Sequence, residues 1–234
     1  VFTPLKVVKR MNTAILQSLR LPKNHTWQDF VKTKWLEITC GEGPFITTRY
    51  NPTANTRAII KPENRVGFLD LKLQSVNANT QSREEWLQYA EIALKSSYGY
   101  EWQGDNLLIA RENILLTLND FYSDFCARKL RLKSKQSLST QQLEHFAEII
   151  SWNFFQMDGI RYVIPMSCKH ETHVIPGELT LFGETPDRVE KYECEGCKYN
   201  RPDRHNGKYV RIMDWDTGKA IRFVDLVLSN KTNA

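Results

Sequence analysis

A short apolar strand that runs into a turn with two glycines constrains the fold of this chain most. In the segment WLEITCGEGPF, Trp35 to Ile38 predict a buried strand, and Gly41 and Gly43 permit a tight turn. Phe45 is predicted to begin a helix whose amino terminus faces a ligand. This arrangement indicates a pocket for a nucleotide-type ligand, although an ordinary strand–turn–helix corner has the same pattern.

The apolar spacing elsewhere predicts an alternation of helices and strands. A helix is expected after Pro4, and Ser82 opens an S-x-x-E capping box with Glu85. Further helices are predicted at residues 69–76, 83–96, 105–130 and 140–151, the last capped by Thr140, and further strands at residues 98–101 and from Phe154 onward. This alternation indicates an α/β fold with a mainly parallel sheet covered by helices.

Acidic residues follow two of the predicted strands, where an open α/β sheet binds its ligands. Glu101 is placed to accept hydrogen bonds from ribose hydroxyls, and Trp102 could pack on an adenine. Asp158 could accept from the adenine amine, with Ile160 lining the base. The alternative interpretations are a surface carboxylate at Glu101, a core aromatic at Trp102 and a plain Asp-Gly turn at Asp158.

Four segments, taken in chain order, resemble the adenine-specific DNA methyltransferases of restriction-modification systems, especially their methylase subunits. VFTPLKVV resembles the F-x-T-P-x-x-V segment, LEITCGEGPF the L-E-P-A-C-G-x-G-x-F loop with Ile38 in place of proline, YGYEWQGDN the ribose-binding strand end, and QMDGI the adenine-binding turn. The resemblance implies a Rossmann-like fold, with helices on both faces of the sheet, that binds S-adenosylmethionine. It implies cofactor contacts from Phe2, Thr3, Pro4, Glu37, Thr39, Gly41, Gly43, Phe45, Glu101, Trp102, Asp158, Gly159 and Ile160.

The catalytic motif of that family, [DNS]-P-P-[YFW], follows a strand, and its aromatic residue stacks on a flipped-out base. The segment RFVDLVLSN, from Arg222 to Asn230, is predicted to be the eligible strand, so Asn230 is the catalytic candidate. Lys231 and Thr232 follow it, and no P-P-Y is present. We therefore expect either an incomplete methyltransferase chain or a catalytically inactive cofactor- or DNA-binding subunit that a partner chain completes.

The segment at residues 162–207 is predicted to be an irregular module inserted into a cofactor-binding domain at residues 1–161. It contains a C-x-x-C pair, Cys194 and Cys197, whose Gly196 eases the turn between them. Cys168 and His205 complete the preferred tetrahedral set for a structural zinc ion, with His170 and His173 as further candidates. Free loop thiols are the alternative. Cys40 and Cys126 are expected to be packed thiols, and residues 208–234 are expected to supply strands at 208–215 and 220–228 that complete the first sheet.

Composition limits the partners. The formal charge of +5 is compatible with DNA, but solvated surface lysines explain it equally well. No apolar run long enough to span a membrane and no secretory leader is visible, so the prediction is a cytoplasmic protein. A partner subunit for specificity or nuclease activity is implied by the resemblance.

Overall fold

The computed structural model describes residues 3–19, 24–54, 58–181 and 183–231. The chain divides into two compact units. The first contains residues 1–156 and 215–218, and the second contains residues 157–214 and 219–234. The division after Gln156 lies five residues before the predicted domain boundary, and it places residues 162–207 within the second unit.

The first unit combines six helices and three strands among its described residues. In chain order these are α1 (Leu5–Ser18), α2 (Trp27–Lys32), β1 (Trp35–Glu37), α3 (Phe68–Asn79), α4 (Arg83–Lys95), β2 (Ser97–Glu101), α5 (Gly104–Arg128), α6 (Thr140–Asn153) and β3 (Phe154–Gln156), with one 3-10 turn at Pro62–Asn64. The predicted helices after Pro4 and at residues 69–76, 83–96, 105–130 and 140–151 are therefore confirmed, as are the predicted strands at residues 98–101 and from Phe154. The first predicted strand is present but ends at Glu37, and the prediction that it is buried is wrong, because Leu36 and Ile38 are exposed at the edge of the sheet.

The three strands form a small parallel sheet in the order β1-β2-β3. Trp35 lies opposite Ser97, and Gly99 lies opposite Phe154. Because the strands are parallel, their carboxyl ends lie at one edge of the sheet. The structure thus confirms a mixed α/β architecture with a parallel sheet.

Helix packing supplies the core of the first unit. Leu69, Leu73 and Val76 recur on one side of α3 and are completely buried, as are Trp86 on α4 and Phe121 on α5. A fully buried aromatic or leucine side chain contributes about 1.5 to 3 kcal/mol relative to an exposed one. The sheet is therefore supported by helices whose apolar spacing is readable in the sequence.

Two helix caps refine the predicted starts. The Ser82 hydroxyl accepts from the backbone N–H of Glu85 at 3.1 Å, as predicted, but the Glu85 carboxylate accepts from Gln81 rather than from Ser82. Helix α6 is capped by Ser139, whose hydroxyl accepts from the N–H of Gln142, so the predicted Thr140 cap is wrong by one residue. Ser139 is the cap because the side-chain oxygen of Gln142 also accepts a hydrogen bond from the Ser139 N–H at 2.8 Å, which completes a capping box.

The described residues of the second unit form short antiparallel strand pairs and two helices. Its elements are β4 (Glu171–Ile175), β5 (Leu179–Thr180), β6 (Gly183–Glu184), β7 (Arg188–Tyr192), α7 (Glu195–Tyr199), β8 (Arg211–Asp214), β9 (Lys219–Arg222) and α8 (Phe223–Lys231). Strand β4 pairs with β7, β5 with β6, and β8 with β9. The segment predicted to be irregular therefore contains regular strand pairs.

The prediction for residues 208–234 is partly wrong. Strand β8 pairs with β9 in a sheet of their own, so these strands do not complete the parallel sheet. Residues 223–228, predicted to be strand, belong to α8. Phe223 and Val224 are buried and residues 227–228 are partly buried, which is helical spacing. Asp225 in the first turn, paired with Arg222, also favours a helix start.

Membrane-spanning helices are absent from the part of the chain that the structure describes, because none of its helices has the required length and apolar content.

Candidate cofactor site and metal centre

The loop after β1 turns sharply through left-handed backbone conformations. Thr39, Gly41 and Gly43 have φ values of 52°, 55° and 76°. The N–H of Cys40 donates to the carbonyl of Tyr100 at 2.8 Å, and the N–H of Gly43 donates to the carbonyl of Cys40 at 2.8 Å. A Cβ atom added at Gly41 would meet no heavy atom within 4 Å. The loop is therefore anchored to β2 while one of its glycines borders open space.

No helix follows this loop directly, so the predicted helix start at Phe45 is wrong. The N–H groups of Ile46 and Thr47 both donate to the carbonyl of Gly43, which closes a single turn. The next residue, Thr48, donates both its N–H and its hydroxyl to the carboxylate of Asp70 on α3. Because the buried Asp70 carboxylate binds the backbone N–H of Thr48, that N–H is not available for a helical hydrogen bond, and the chain does not continue as a helix.

Glu101, at the end of β2, directly binds the loop at residues 38–46, hereafter called the glycine loop. One carboxylate oxygen accepts from the N–H of Gly41 at 2.7 Å, and the other accepts from Trp102 at 2.9 Å and from Gln103 at 3.1 Å. The side chain is buried, so the interpretation as a surface carboxylate is wrong. A carboxylate has about four acceptor positions, and three are used here. One position is left for a ligand hydroxyl.

Trp102 lies on the surface rather than in the core. Its side chain is 42% exposed, and its carbonyl accepts from the amide of Gln156 at 2.8 Å. It stands two residues before α5 and beside Glu101. An exposed indole next to a buried carboxylate is suited to stack on a planar ring.

The amino-terminal segment also reaches the glycine loop. Thr3 lines a small cavity of about 20 Å³ together with Glu42 and Pro44, and Pro4 precedes the first turn of α1. Phe2 lies outside the described residues.

A larger cleft of about 580 Å³ opens beside the same loop. It is lined by Glu42, Tyr50, Asn51, Pro52, Ala54, Ile59 and Ile109.

Sequence reasoning missed the polar pair in this cleft. The hydroxyl of Tyr50 donates to the carboxylate of Glu42 at 3.0 Å, and the amide of Asn113 lies 3.4 Å from the same hydroxyl. Glu42 could have been noticed because it stands between the two glycines. Nothing in the sequence pairs Tyr50 or Asn113 with it, since the three residues meet only through the tertiary structure.

Burial controls the ionisation of two side chains near the loop. It raises the pKa of the Glu37 carboxyl to about 7, against a smaller opposing effect of the Trp35 indole. Burial, together with the carboxylates of Glu101 and Glu37, raises the pKa of the Cys40 thiol to about 12. Cys40 is therefore a neutral packed thiol, as predicted, and Cys126 is also fully buried.

The second unit holds Asp158, Gly159 and Ile160. The Asp158 carboxylate accepts from the backbone N–H groups of Ile160 at 2.9 Å and Arg161 at 3.1 Å, and it pairs with the Arg161 guanidinium at 3.3 Å. The N–H of Tyr162 donates to the carbonyl of Asp158. Asp158 thus stabilises its own turn, while Ile160 is 77% exposed.

Asn230 lies near the end of α8 rather than after a strand, and its side chain is outside what the structure describes.

The structure brings Cys168, Cys194, Cys197 and His205 together as one cluster that could bind a metal ion such as zinc. Their ligand atoms all lie within 4.8 Å of one another. The Nδ1 atom of His205 is 3.5 to 3.6 Å from each of the three sulfur atoms. A tetrahedral zinc site with ordinary Zn–S and Zn–N bond lengths separates sulfur and nitrogen by roughly 3.6 Å. His173, by contrast, lies on β4 and contacts Glu171 and Tyr192.

Close backbone approach makes this cluster possible. A Cβ atom at Gly196 would lie 2.6 Å from the His205 ring, and one at Gly207 would lie 2.9 Å from the backbone nitrogen of Cys168. Only glycine leaves room at these two positions. Gly196 is therefore required for the close approach of His205, which differs from the predicted role of easing the turn between Cys194 and Cys197. The short helix α7 then places Cys194 and Cys197 one turn apart.

Backbone donors favour one thiolate in the cluster. Burial opposes ionisation of Cys194, but the N–H of Asn206, which points at its sulfur from 3.3 Å, and the other members of the cluster outweigh it and lower its pKa to about 6. Burial and the neighbouring thiols raise the pKa of Cys168 to about 12. The N–H of His205 donates to the Tyr209 hydroxyl at 2.8 Å. Such contacts around the ligands hold the set in position.

Comparison of the whole chain with protein-family models, with curated proteins and with solved structures found no match.

Proposed function

We propose that this chain is an S-adenosylmethionine-dependent DNA adenine methyltransferase subunit of a restriction-modification system, with a Rossmann-like first unit. The observation that carries the proposal is the contact between Gly41 and Glu101. A glycine turn after one parallel strand is bound there by the acid that ends the neighbouring strand. Open α/β sheets bind nucleotide-type ligands at this edge.

The residues around this contact fit an adenosyl ligand. Glu101 has one acceptor position for a ribose hydroxyl, Trp102 exposes an indole for the adenine, and Gly41 borders open space. Thr3 and Glu42, which line one small cavity, are proposed to contact the amino-acid end of the ligand.

S-adenosylmethionine supplies the methyl group that the target adenine receives. The protein side of this chemistry is positioning of the amine and acceptance of its hydrogen bonds, which the resemblance assigns to Asn230. Lys231 and Thr232 follow Asn230 in place of P-P, so the catalytic motif around Asn230 is incomplete and its aromatic stacking residue has to come from outside this motif. We therefore propose that this chain binds the cofactor and that a partner subunit completes methyl transfer.

In the second unit we propose a structural zinc ion at Cys168, Cys194, Cys197 and His205. Three cysteines and one histidine with tetrahedral spacing form a closed zinc site, which leaves no position for a substrate. Strands β4 and β7 of this unit expose most of their side chains, so little apolar surface is buried to hold this pair. The metal would substitute for the missing core.

Calorimetric titration with S-adenosylmethionine tests the proposed cofactor site. Glu101→Ala removes the acceptor for the ribose and the anchor of Gly41, so we expect binding to weaken by about 1 to 3 kcal/mol. Glu144→Ala, which removes an exposed carboxylate on α6, is the matched control and should bind like the unmodified chain. Equal affinity of both variants would remove Glu101 from the site.

A methyl-transfer assay on DNA of mixed sequence separates the two versions of the function. We expect transfer of a radiolabelled methyl group only when the chain is combined with the products of neighbouring genes. Transfer by the chain alone would show that no partner is needed. Absence of both cofactor binding and transfer would reject the methyltransferase proposal.

A further inference from the structure

Residues 194–211, hereafter called the knuckle, carry an excess of positive charge. They contain five basic residues against two acidic ones. The basic side chains are Lys198, Arg201, Arg204, Lys208 and Arg211, and all five residues are exposed. A zinc ion with three thiolates contributes a charge of −1 and leaves the surrounding surface positive.

An exposed aromatic ring stands among these cations. Tyr199 is 59% exposed, and it lies on α7 directly after Lys198. The Lys198 ammonium is 5.3 Å from the centre of the Tyr199 ring, and the Arg201 guanidinium is 5.9 Å from it. An aromatic face with adjacent cations is the arrangement that binds bases and phosphates of nucleic acids together.

The backbone that carries these side chains is fixed by internal hydrogen bonds. The N–H of Gly196 donates to the carbonyl of Arg204 at 3.0 Å, and the N–H of Arg204 donates to the carbonyl of Arg201 at 3.1 Å. Two carboxylates compete for the cations, since Glu195 lies 3.2 Å from Arg201 and Asp203 lies 3.8 Å from Arg204. These pairs are exposed, so each is worth at most about 1 kcal/mol and can exchange for phosphate.

Within the second unit, the positive charge of the knuckle does not extend over the strands that precede it in sequence. Residues 171–192, which form β4 to β7, contain five acidic and two basic residues. DNA would be repelled by those strands and attracted to the knuckle. The charge distribution of the second unit therefore gives a polyanion one preferred surface.

We infer that the knuckle is a DNA-binding surface, with Lys198 and Arg204 on phosphates and Tyr199 stacked on an unpaired base. The inference rests on the proposed function and deepens it, because it assigns the contact with the DNA substrate to the metal-containing segment. Exposed loops on a rigid base commonly carry such contacts. The metal ligands hold the knuckle in shape and do not touch the DNA.

Fluorescence anisotropy with a short labelled duplex, measured at several salt concentrations, tests this surface on the full chain. In the double variant Lys198→Gln, Arg204→Gln we expect weaker binding and a salt dependence whose slope is smaller by about 2, since each phosphate contact contributes about 0.9. Tyr199→Ala should weaken binding of a labelled single strand by about tenfold, the effect of one lost stacking contact. Metal content equal to that of the unmodified chain establishes that the variants are folded.

A second basic segment, residues 128–135, contains five basic residues at the end of α5 and in the loop before α6. The matched control is Lys133→Gln, Lys135→Gln, which removes the same charge from that segment. A larger loss of DNA binding in the control than in the knuckle variant would overturn the inference. The inference would also be overturned if the unmodified chain bound anionic lipid vesicles as tightly as DNA and the knuckle variant lost vesicle binding to the same extent. Calorimetry with S-adenosylmethionine on the knuckle variant keeps the two proposals apart, because we expect its cofactor affinity to be unchanged.

Discussion

At the scale of single residues, Lys72 shows how the fold sets the charge of a side chain. It is completely buried, and its ammonium donates to the carbonyl of Thr33 and to the hydroxyl of Ser96, both at 2.7 Å. Burial lowers its pKa from 10.5 to about 7. The unfolded chain keeps the ordinary value. Folding at pH below 7 therefore has to bury a protonated amine.

Lys72→Met should remove a rise of stability with pH. Between pH 7 and 9 the folded protein has lost the Lys72 proton while the unfolded chain still binds it, so the free energy of unfolding should increase by about 2 kcal/mol from this group. Urea denaturation at a series of pH values measures the difference between variant and unmodified chain. Lys9→Met, an exposed lysine on α1, should retain the rise. If Lys72→Met retained it as well, the amine would be charged in the folded state.

At the scale of elements, the start of α3 depends on a close backbone contact. A Cβ atom at Gly67 would lie 2.4 Å from the carbonyl oxygen of Ile46 and 2.6 Å from the Asp70 carboxylate. That carboxylate, which is completely buried, accepts from the N–H groups of Gly67 and Thr48. The glycine loop and α3 are joined at this point.

Gly67→Ala should therefore destabilise the first unit by about 1 to 3 kcal/mol, the usual cost of overpacking. Gly104→Ala is the paired control, because a Cβ atom at the first residue of α5 would meet only the Gln156 amide at 3.7 Å. It should be neutral or stabilising by less than about 1 kcal/mol, since alanine favours helix. Thermal or urea unfolding measures both. Similar losses in the two variants would contradict the close contact at Gly67.

Local sequence patterns are sufficient to predict some helices of this chain but not all of them. Helices α3 to α6 have long apolar repeats, and α4 and α6 also have capping serines, so their sequences predict them to within a few residues. The segment at residues 223–228 is short, and its alternation of Val, Asp and Leu fits a strand as well as a helix. The Arg222–Asp225 pair and the burial of Val224 decide for helix.

At the scale of the whole molecule, the metal should stabilise the second unit selectively. Elemental analysis should find close to one zinc per chain, and chelation should increase hydrogen exchange at the amides of Gly196 and Arg204. These amides are bonded inside the knuckle. The core of the first unit, represented by Leu73 and Phe121, contains none of the ligands and should keep its protection.

Cys194→Ser should reproduce the effect of chelation, because it removes one of four ligands and the thiolate that the N–H of Asn206 favours. Cys126→Ala, a change of a thiol outside the cluster, should leave the metal content unchanged. A metal-free protein with an equally protected knuckle would reject the structural zinc proposal.

The sequence by itself determined helices α1 and α3 to α6 and the parallel strands of the first unit, because apolar spacing acts over a few residues, whereas the short helix α2 was not predicted. It also pointed to Glu101 and to the set of Cys168, Cys194, Cys197 and His205. Only the tertiary structure decided that the Glu101 carboxylate binds the Gly41 amide and that His205 stands at tetrahedral distance from three sulfurs. These contacts join residues far apart in the chain, and their distances depend on packing that no local pattern encodes.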